Sequence, residues 1–336
     1  MARRKLSKRQ KQRIGAIQQR RIQRLDERAQ LAQETTEADA PREGVVVTRH
    51  GQSLLVRNSE GSLHLCLCRQ NIGDPVCGDR VVWQSMPSNQ GVVTALMERT
   101  TTLARPLYSG EHRALAANLN QLVVVLAPKP APSTYLLDQY LIAAEGIGCA
   151  VLIAMNKKDL LDIESSAELE QAFGHYPEIG YPIIQISAKY EHGLDPLIEQ
   201  LRNKTSILVG QSGVGKSSLI KALLPNIEIQ IGRLSESSGL GKHTTSATTL
   251  YDLPQGGQLI DSPGVRSFRL GRLDRRQLER GFPEFRPYLG SCRFADCSHD
   301  HEPGCALIEA VENGKITPQR LAHFRQLAAT ILEGPR

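Results

Sequence analysis

The stretch GQSGVGKSS, residues 210–218, decides the fold of this chain. It fits the pattern G-x-x-x-x-G-K-[ST], and it lies between an apolar run typical of a buried strand, SILVG, and a run typical of a helix, SSLIKALL. Glycines in such a turn let backbone N–H groups point at phosphates, and the helix that follows adds its partial positive charge. A glycine-rich turn that merely caps a helix is the alternative, but the strand–loop–helix context favours a phosphate site.

The phosphate loop supplies most of the predicted nucleotide contacts. In it, Lys216 would reach the β- and γ-phosphates, and the Ser217 hydroxyl would ligate Mg²⁺ that accompanies the nucleotide. The predicted phosphate-binding residues are Gly210, Gln211, Ser212, Gly213, Val214, Gly215, Lys216, Ser217 and Ser218.

The stretch AMNKKD, residues 154–159, predicts which base is bound. A carboxylate at Asp159 can accept hydrogen bonds from guanine N1–H and from the 2-amino group, whereas adenine offers an acceptor at N1 and lacks that amino group. Asn156 would contact the base edge or tie the loops together, and Lys157 would lie along the ring face. This Asn-Lys-x-Asp pattern, which includes Lys158, is short, and a loop at the start of a helix would explain it equally well.

A second short motif supports guanine. Ser187, Ala188 and Lys189 close the next apolar run, PIIQIS, where GTPases place another base-contacting loop. Both base motifs precede the phosphate loop, the reverse of the usual succession. The cyclic order is nevertheless the standard one, so we predict a circularly permuted GTPase domain, which is tolerable because domain termini often lie close together.

Two candidate switch segments follow the phosphate loop. Asp261 and Gly264 match D-x-x-G; the carboxylate would hold the Mg²⁺ shell and the glycine amide would meet the γ-phosphate. In GLGKHTT, residues 239–245, either Thr244 or Thr245 would complete the Mg²⁺ coordination. Val265 stands where many GTPases have a glutamine that orients the attacking water, so we expect slow intrinsic hydrolysis. His243 or a group from a bound partner would then assist the water, although His243 could equally be an ordinary loop histidine.

Four soft donors crowd into one C-terminal stretch. The spacing C-x₄-C-x-H-x₅-C predicts one structural Zn²⁺ site closed by four protein ligands, with His301 as a possible substitute for the histidine and reduced, metal-free thiols as the alternative. The predicted ligands are Cys292, Cys297, His299 and Cys305. The remaining cysteines near the N-terminal strands, Cys66, Cys68 and Cys77, are expected to be small core residues.

Composition restricts the class of protein. The chain has 336 residues with a net charge of +6, yet residues 1–28 alone carry +9, so the basic character belongs to an N-terminal arm. Such an arm is a solvated segment or one that neutralises nucleic-acid phosphates. No apolar run approaches the ~18 residues of a membrane span, and no secretory signal is recognisable. Free thiols beside a metal cluster indicate a reducing compartment, so we expect a cytoplasmic protein that does not bind membranes.

Hydrophobic patterning predicts four segments. Residues 1–40 form the basic arm; residues 41–103 contain about five short strands, which favours a small barrel of the OB kind over a fragment of a β-sandwich. Residues 104–272 alternate apolar strands with helices, as a parallel sheet does, and hold the permuted G domain. Residues 273–336 hold the zinc-binding, partly helical domain. The fold class is therefore α/β, with a permuted P-loop GTPase domain between a barrel and a metal module.

With these motifs in order, the chain resembles the RsgA family, the circularly permuted GTPases that depend on the small ribosomal subunit. The resemblance covers nearly the whole chain, from CGDRVVW (residues 77–83) to the C-terminal cysteines. It implies a GTPase that is stimulated by the small (30S) subunit and acts in its late maturation, with GTP or GDP in the loops described above and zinc on the four C-terminal ligands. The long basic arm is less uniform in such families, so the resemblance implies least about its role.

The parts themselves suggest RNA as a partner. An OB barrel offers a groove for nucleic acid, but aromatic residues make up only 4% of the chain, so we expect recognition of RNA backbone and shape. The resemblance implies that this RNA is 16S rRNA, and we expect the protein to be a monomer. Two other classes stay open at this point: a signalling GTPase whose barrel binds proteins, and a zinc-dependent hydrolase with a vestigial phosphate loop. Stimulation by small subunits separates the first, and a zinc site saturated by protein ligands excludes the second.

Overall fold

The computed structural model describes residues 40–69, 72–86, 90–106, 112–190, 192–227, 247–262 and 273–332. These residues divide into two compact units. The first comprises residues 40–104, 114–119 and 224–262, and the second consists chiefly of residues 120–223 and 273–332. The basic arm, apart from residue 40, lies outside the described residues. None of the helices in the described ranges combines the length and the apolar character needed to cross a membrane.

The first unit is built on a five-stranded barrel. Its strands are β1 (Arg42–His50), β2 (Ser53–Asn58), β3 (Leu63–Cys68), β4 (Arg80–Met86) and β5 (Gln90–Leu96). They follow one another around the barrel in the order β1-β2-β3-β5-β4, and β1 closes the ring because it also pairs with β4. The barrel that the short alternating runs predict is confirmed.

The single tryptophan lies inside this barrel. Trp83 is fully buried with Val46, Leu54 and Cys66. Gly44 has to be a glycine, since a Cβ there would lie 2.5 Å from Val56 Cγ1. The tryptophan therefore contributes to folding and is not available to stack on bases.

The barrel cysteines mostly belong to the core. Cys66 and Cys77 are buried, whereas Cys68 is partly exposed. Burial raises the pKa of the Cys66 thiol to about 12, so this sulfur stays protonated and behaves as an apolar atom. Among the described residues, the barrel cysteines form no metal cluster.

Four further strands of the described residues lie outside the barrel and the parallel sheet. β6 (Thr102–Pro106) and β7 (His112–Ala117) form a separate two-stranded sheet. β12 (Thr249–Asp252) and β13 (Gln258–Asp261) form an antiparallel pair, and β12 meets β1 where Thr249 lies opposite Thr48.

The second unit contains a parallel sheet. Its strands are β8 (Gln121–Leu126), β9 (Ala150–Met155), β10 (Ile183–Gln185) and β11 (Thr205–Val209), in the order β10-β9-β8-β11. Every residue of β8 is buried, as expected for a strand with structure on both faces. The predicted α/β architecture, a parallel sheet with helices between its strands, is confirmed here.

Helices connect these strands. They are α1 (Thr134–Ile147), α2 (Ile163–Phe173), α3 (Tyr176–Ile179), α4 (Asp195–Leu201) and α5 (Lys216–Leu223). α1 begins where the Ser133 side chain accepts a hydrogen bond from the Leu136 N–H, and it ends at Gly148, which has a φ of 70°. Leu137, Leu141 and Ala144 of α1 are buried.

The C-terminal segment adds a helical module to the same unit. It consists of α6 (Arg275–Arg280), the 3₁₀ helix Pro283–Tyr288, α7 (Ala306–Glu312) and α8 (Pro318–Leu332). Phe282, Phe285 and Phe324 form its centre, with ring centroids 4.7 to 5.7 Å apart. Ile142 of α1 is part of this core, so the module and the parallel-sheet region share one hydrophobic cluster.

A buried group of charged side chains joins the same two regions. The Arg320 guanidinium on α8 is fully buried and pairs with Asp138 on α1 at 2.5 Å and with Glu284 at 2.6 Å. Asp138 also accepts hydrogen bonds from the Tyr176 hydroxyl at 2.6 Å and contacts His323 Nδ1 at the same distance. One cation thus compensates two carboxylates that are shielded from water.

Replacing Arg320 with alanine should lower the free energy of unfolding by about 3–5 kcal/mol, because Asp138 and Glu284 would remain buried without their cation. Urea denaturation followed by circular dichroism measures this change. Arg276→Ala is the control, since Arg276 is exposed on α6 and its loss should cost less than about 0.5 kcal/mol. Equal stability of both variants would contradict the role given to the buried group.

Candidate functional site

The predicted nucleotide residues of the second unit meet at one edge of its parallel sheet. Residues 156–159 follow β9, residues 187–189 come shortly after β10, and Gly210 follows β11 directly. Carboxyl ends of parallel strands share an edge, and open α/β sheets bind ligands there. Motifs that are some fifty residues apart in sequence are therefore neighbours.

The phosphate loop requires its glycines. Gly210 has a φ of 138°, and a Cβ there would lie 2.2 Å from the Val125 carbonyl oxygen of the adjacent strand. Gly215 has a φ of 101°, and a Cβ there would lie 2.5 Å from Asn156 Nδ2. Both positions combine a left-handed backbone with a close approach, which only glycine tolerates.

Asn156 joins the base loop to the phosphate loop. Its Nδ2 donates to the Val214 carbonyl at 2.9 Å, and the side chain is buried. Lys157 adds a second link, since its Nζ donates to the Gly213 carbonyl at 2.7 Å and to the Lys129 carbonyl at 2.8 Å. Of the two roles that the sequence left open for Asn156, the structure shows the tie between the loops.

Asp159 is held by the second base loop. The Ser187 hydroxyl donates to Asp159 Oδ1 at 2.6 Å, and Lys189 Nζ lies 3.8 Å from Oδ2. These contacts lower the pKa of Asp159 below its ordinary value, and the hydrogen bond from the Ser187 hydroxyl has the largest effect. The carboxylate is therefore ionised at neutral pH, the state that can accept two N–H donors. Ala188 lies between these two contacts and is partly buried.

Two buried acceptors at this edge have no hydrogen-bond donor among the described residues. They are Asn156 Oδ1 and Gln211 Oε1. A buried polar atom without a partner costs about 1–3 kcal/mol, so both acceptors favour a ligand that donates hydrogen bonds. This observation agrees with a polar heterocycle beside Asn156.

The side chain of Lys216 is held by carbonyl groups of the phosphate loop itself. Lys216 Nζ donates to the Gly210 carbonyl at 2.7 Å and to the Gln211 carbonyl at 2.5 Å. Lys216 also begins α5, so its ammonium lies by the helix N-terminus. Ser212, Ser217 and Ser218 are exposed.

Some predicted site residues cannot be placed with this group. His243, Thr244, Thr245, Gly264 and Val265 lie outside the described residues. Asp261 ends β13 in the first unit and is partly exposed. Their proposed parts in catalysis stay predictions.

The four predicted metal ligands come together in the C-terminal module. The ligand atoms of Cys292, Cys297, His299 and Cys305 all lie within 4.8 Å of one another. His299 Nδ1 is 3.4 Å from Cys305 Sγ and 3.6 Å from Cys292 Sγ, and the two sulfurs are 4.0 Å apart. A tetrahedral zinc ion holds its ligand atoms about 3.4–3.8 Å apart, so these atoms would have to close in by at most about 1 Å, and three thiolates with one imidazole are the donors that zinc prefers. His301 is exposed and is not a member of the cluster.

Two residues around the cluster were not predicted from the sequence. Glu279 Oε1 lies 3.4 Å from His299 Nε2, the ring nitrogen that faces away from the sulfurs. Arg275 donates to Glu279 at 2.9 Å and to the Cys297 carbonyl at 2.8 Å. Carboxylates behind a metal-binding histidine orient its ring and fix its tautomer. No motif marks them, because α6 precedes the first cysteine and its charges read as ordinary surface residues.

Fold and site together define a class of protein. A parallel sheet carries a phosphate loop and, at the same edge, a carboxylate loop suited to guanine, in an order that is inverted along the chain. These features are those of a circularly permuted P-loop GTPase.

Comparison with known proteins agrees with this class. A model of the RsgA GTPase family matches residues 96–271. The small ribosomal subunit biogenesis GTPase RsgA of Azotobacter vinelandii is 43% identical, and that of Hahella chejuensis is 44% identical; the alignments cover 99% of this chain and 99% and 98% of those proteins. The chain belongs to the RsgA GTPase family, and it is a GTPase.

Solved structures show the same architecture. The crystal structure of YjeQ from Thermotoga maritima superposes with a TM-score of 0.73 at 32% identity, covering 88% of this chain and 100% of that one. YloQ, described as a circularly permuted GTPase, gives a TM-score of 0.73 at 28% identity, covering 90% and 99% of the two chains. The permutation inferred from the motif order is thus confirmed.

Replacing Asp159 with asparagine should exchange the base preference. The amide would lose the paired acceptors that guanine needs and would offer an N–H donor to the 2-oxo group of xanthine. We expect GTP affinity to fall about 10- to 100-fold and xanthosine triphosphate to bind better than GTP. Isothermal titration with both nucleotides measures the ratio.

The control for this exchange is Glu164→Gln, which neutralises an exposed carboxylate five residues away and should leave both affinities unchanged. An Asp159→Asn variant that keeps its preference for GTP would show that Asp159 does not read the base.

Proposed function

We propose that this GTPase binds the small (30S) ribosomal subunit and couples GTP hydrolysis to the late maturation of that particle, which in turn stimulates hydrolysis. The observation that carries the proposal is the full-length similarity to relatives named for small ribosomal subunit biogenesis. Since the alignments span 99% of this chain, the barrel, the nucleotide loops and the metal module are all included.

GTP and GDP are the proposed ligands of the three loops in the second unit. The base would lie against Asn156, Lys157 and Asp159, with the backbone of Lys158 and the loop of residues 187–189 completing its surroundings. The phosphates would lie in the loop of residues 210–218, where Lys216 supplies the positive charge. The hydrogen bonds that join these loops support a single pocket.

Mg²⁺ is the proposed companion of GTP. When bound, it neutralises charge that develops on the phosphates. The Ser217 hydroxyl, Asp261 and Thr245 are the residues that would hold it, and hydroxyl and carboxylate oxygens are the donors that this hard cation prefers.

Hydrolysis is proposed to depend on a group other than the residue at position 265. Val265 has no hydrogen-bonding side chain, so it cannot orient a water molecule. The Gly264 amide would meet the γ-phosphate, and His243 is the candidate in this chain for positioning the attacking water. A partner that positions such a group against the attacking water would accelerate the reaction, which is the physical reason to expect stimulation.

Zinc is the proposed occupant of the C-terminal cluster. Three sulfurs and one imidazole nitrogen fill four positions, so the site would be structural. Burial raises the pKa of the Cys297 thiol to about 12, and a bound cation is what would keep such a sulfur ionised. Since Cys297 and Cys305 also belong to the hydrophobic cluster of the module, metal binding and folding would be coupled.

Cys305→Ser should remove zinc and destabilise the protein. Element analysis of the purified wild type is expected to give one zinc per chain, and the variant is expected to retain less than about a fifth of that amount and to unfold at a lower temperature. Cys68→Ser makes the same thiol-to-hydroxyl exchange outside the cluster and should keep its zinc. Equal zinc contents in all three proteins would reject the site.

RNA is a proposed partner of the barrel and of the basic arm. The barrel and the basic arm of residues 1–40 would contact the phosphate backbone of 16S rRNA. The protein would act as a monomer in the cytoplasm, where thiols stay reduced and can bind zinc. In this proposal residues 41–103 form the barrel that contacts RNA, residues 104–272 form the G domain that binds GTP, and residues 273–336 form the domain that binds zinc. Since Trp83 is buried, it cannot stack on RNA bases, which agrees with recognition of the RNA backbone.

Purified small subunits should increase GTP turnover at low salt by about tenfold or more, and high salt should abolish the increase because phosphate contacts are screened. Phosphate release with and without subunits measures this effect. Lys216→Ala is the control, since it should suppress turnover under both conditions. Stimulation by a soluble protein fraction free of ribosomal particles, without stimulation by subunits, would favour a signalling role and overturn the proposal.

A further inference from the structure

A groove lies at the open edge of the parallel sheet, beside the base loop. It has a volume of about 230 Å³, and its apolar lining comes from β9, β10 and the segment around α2. The apolar residues that line it are Met155, Leu161, Leu169, Phe173, Pro177 and Ile183. The volume is below the roughly 300–1,000 Å³ of a site for a drug-sized ligand, so it suits one or two apolar side chains of a polypeptide.

The helix over this groove has little core of its own. Phe173 is the only residue of α2 that is buried. Ile163, at the first turn, is 92% exposed, and Leu160 just before the helix is 47% exposed. Leu161 and Ser166, which flank Ile163 in sequence, both line the groove. Exposed apolar side chains that continue an apolar groove would extend it into a larger patch, and such patches mark interaction sites.

The surroundings of the groove are acidic. From Asp159 to Ala188, both included, the chain has six carboxylates and no lysine or arginine, and lysines lie only at its two ends, at positions 157, 158 and 189. Five of them are exposed: Asp162, Glu164, Glu168, Glu170 and Glu178. Such a surface repels phosphates and attracts cations, in contrast to the basic arm.

Charge therefore selects the class of partner. RNA is disfavoured, because each nucleotide would bring a negative charge toward these carboxylates. A polypeptide segment rich in lysine or arginine, with one large apolar side chain, matches both the acidic rim and the apolar floor. The edge strand β10 borders the groove and would also allow main-chain pairing with an extended segment.

The groove is connected to the nucleotide loops. Met155 and Leu161, which line it, stand on either side of the base loop, residues 156–159. A segment that fills the groove would thus contact the two ends of the loop that holds Asp159.

We propose that this acidic groove binds a Lys/Arg-rich segment of a protein component of the small ribosomal subunit, with an apolar side chain inserted between α2 and β10. The inference rests on the proposed function, which supplies the particle. It assigns the contact on this face to protein and leaves contacts with RNA to other surfaces.

Photocrosslinking tests the identity of the partner. The photoreactive amino acid p-benzoylphenylalanine replaces Ile163 in the full-length protein, and a control carries it at Glu199, which is exposed on α4 of the same unit. Both are irradiated with purified small subunits, and crosslinked fragments are identified by mass spectrometry. A crosslink from position 163, but not from 199, to a Lys/Arg-rich segment of a subunit protein is expected. Crosslinks from 163 to rRNA, to the chain itself or to nothing overturn the inference.

Charge reversal is an independent test, because the direction in which the affinity for small subunits changes distinguishes a protein partner from RNA. Glu164→Lys/Glu168→Lys/Glu170→Lys should weaken binding to small subunits about tenfold, whereas Glu164→Asp/Glu168→Asp/Glu170→Asp, which keeps the charge, should bind within about twofold of wild type. GTP affinity in the absence of subunits should be unchanged in both. Tighter binding of the lysine variant would mean that the face meets phosphate, and unchanged binding would mean that it meets nothing; either result overturns the inference.

The proposed function is assessed in the same samples. If subunits stimulate GTP turnover of the wild type but no protein crosslink forms at position 163, this inference fails and the proposed function stands. If subunits do not stimulate turnover of the wild type, the proposed function fails, and the inference fails with it.

Discussion

The hydrogen bond from Asn156 Nδ2 to the Val214 carbonyl joins two loops that lie 58 positions apart in the chain. It requires Gly215, because any Cβ at that position would collide with the same amide nitrogen. The base loop and the phosphate loop thus fix each other, and Lys157 strengthens the link from its own side chain. A nucleotide pocket that is assembled from segments in inverted order depends on this contact, since no short connection in sequence holds its two ends together.

The C-terminal module is joined to the parallel-sheet region by two different kinds of interaction. An apolar cluster that includes Ile142 supplies the non-directional part. The buried Arg320, with Asp138 and Glu284, supplies the directional part, because such a group is stable only when its geometry is kept. The Cys/His cluster belongs to the same module, and Glu279 lies 3.4 Å from His299 Nε2 behind it.

Charge is distributed unevenly along the chain. Residues 1–28 carry a net charge of +9, whereas residues 159–188 have six carboxylates and no lysine or arginine. A GTPase that acts on a particle made of RNA and protein meets both kinds of surface. A basic surface binds phosphates without selecting among them, whereas a groove with an acidic rim repels phosphates and would favour a basic protein segment, in line with the proposal above.

The sequence by itself determined the local chemistry. The glycine pattern of residues 210–218, the apolar runs of the strands and the four soft donors near the C-terminus each predict one structure, because backbone conformation, burial and ligand type depend on neighbouring residues. The circular permutation could also be inferred from the sequence, since the order of the motifs is a property of the chain. Only the tertiary structure decided which side chains meet: the tie made by Asn156, the Glu279 behind His299, the burial of Arg320 and the groove beside α2. Each of these contacts joins residues from separate elements, and no short-range pattern records which surfaces the packing of those elements brings together.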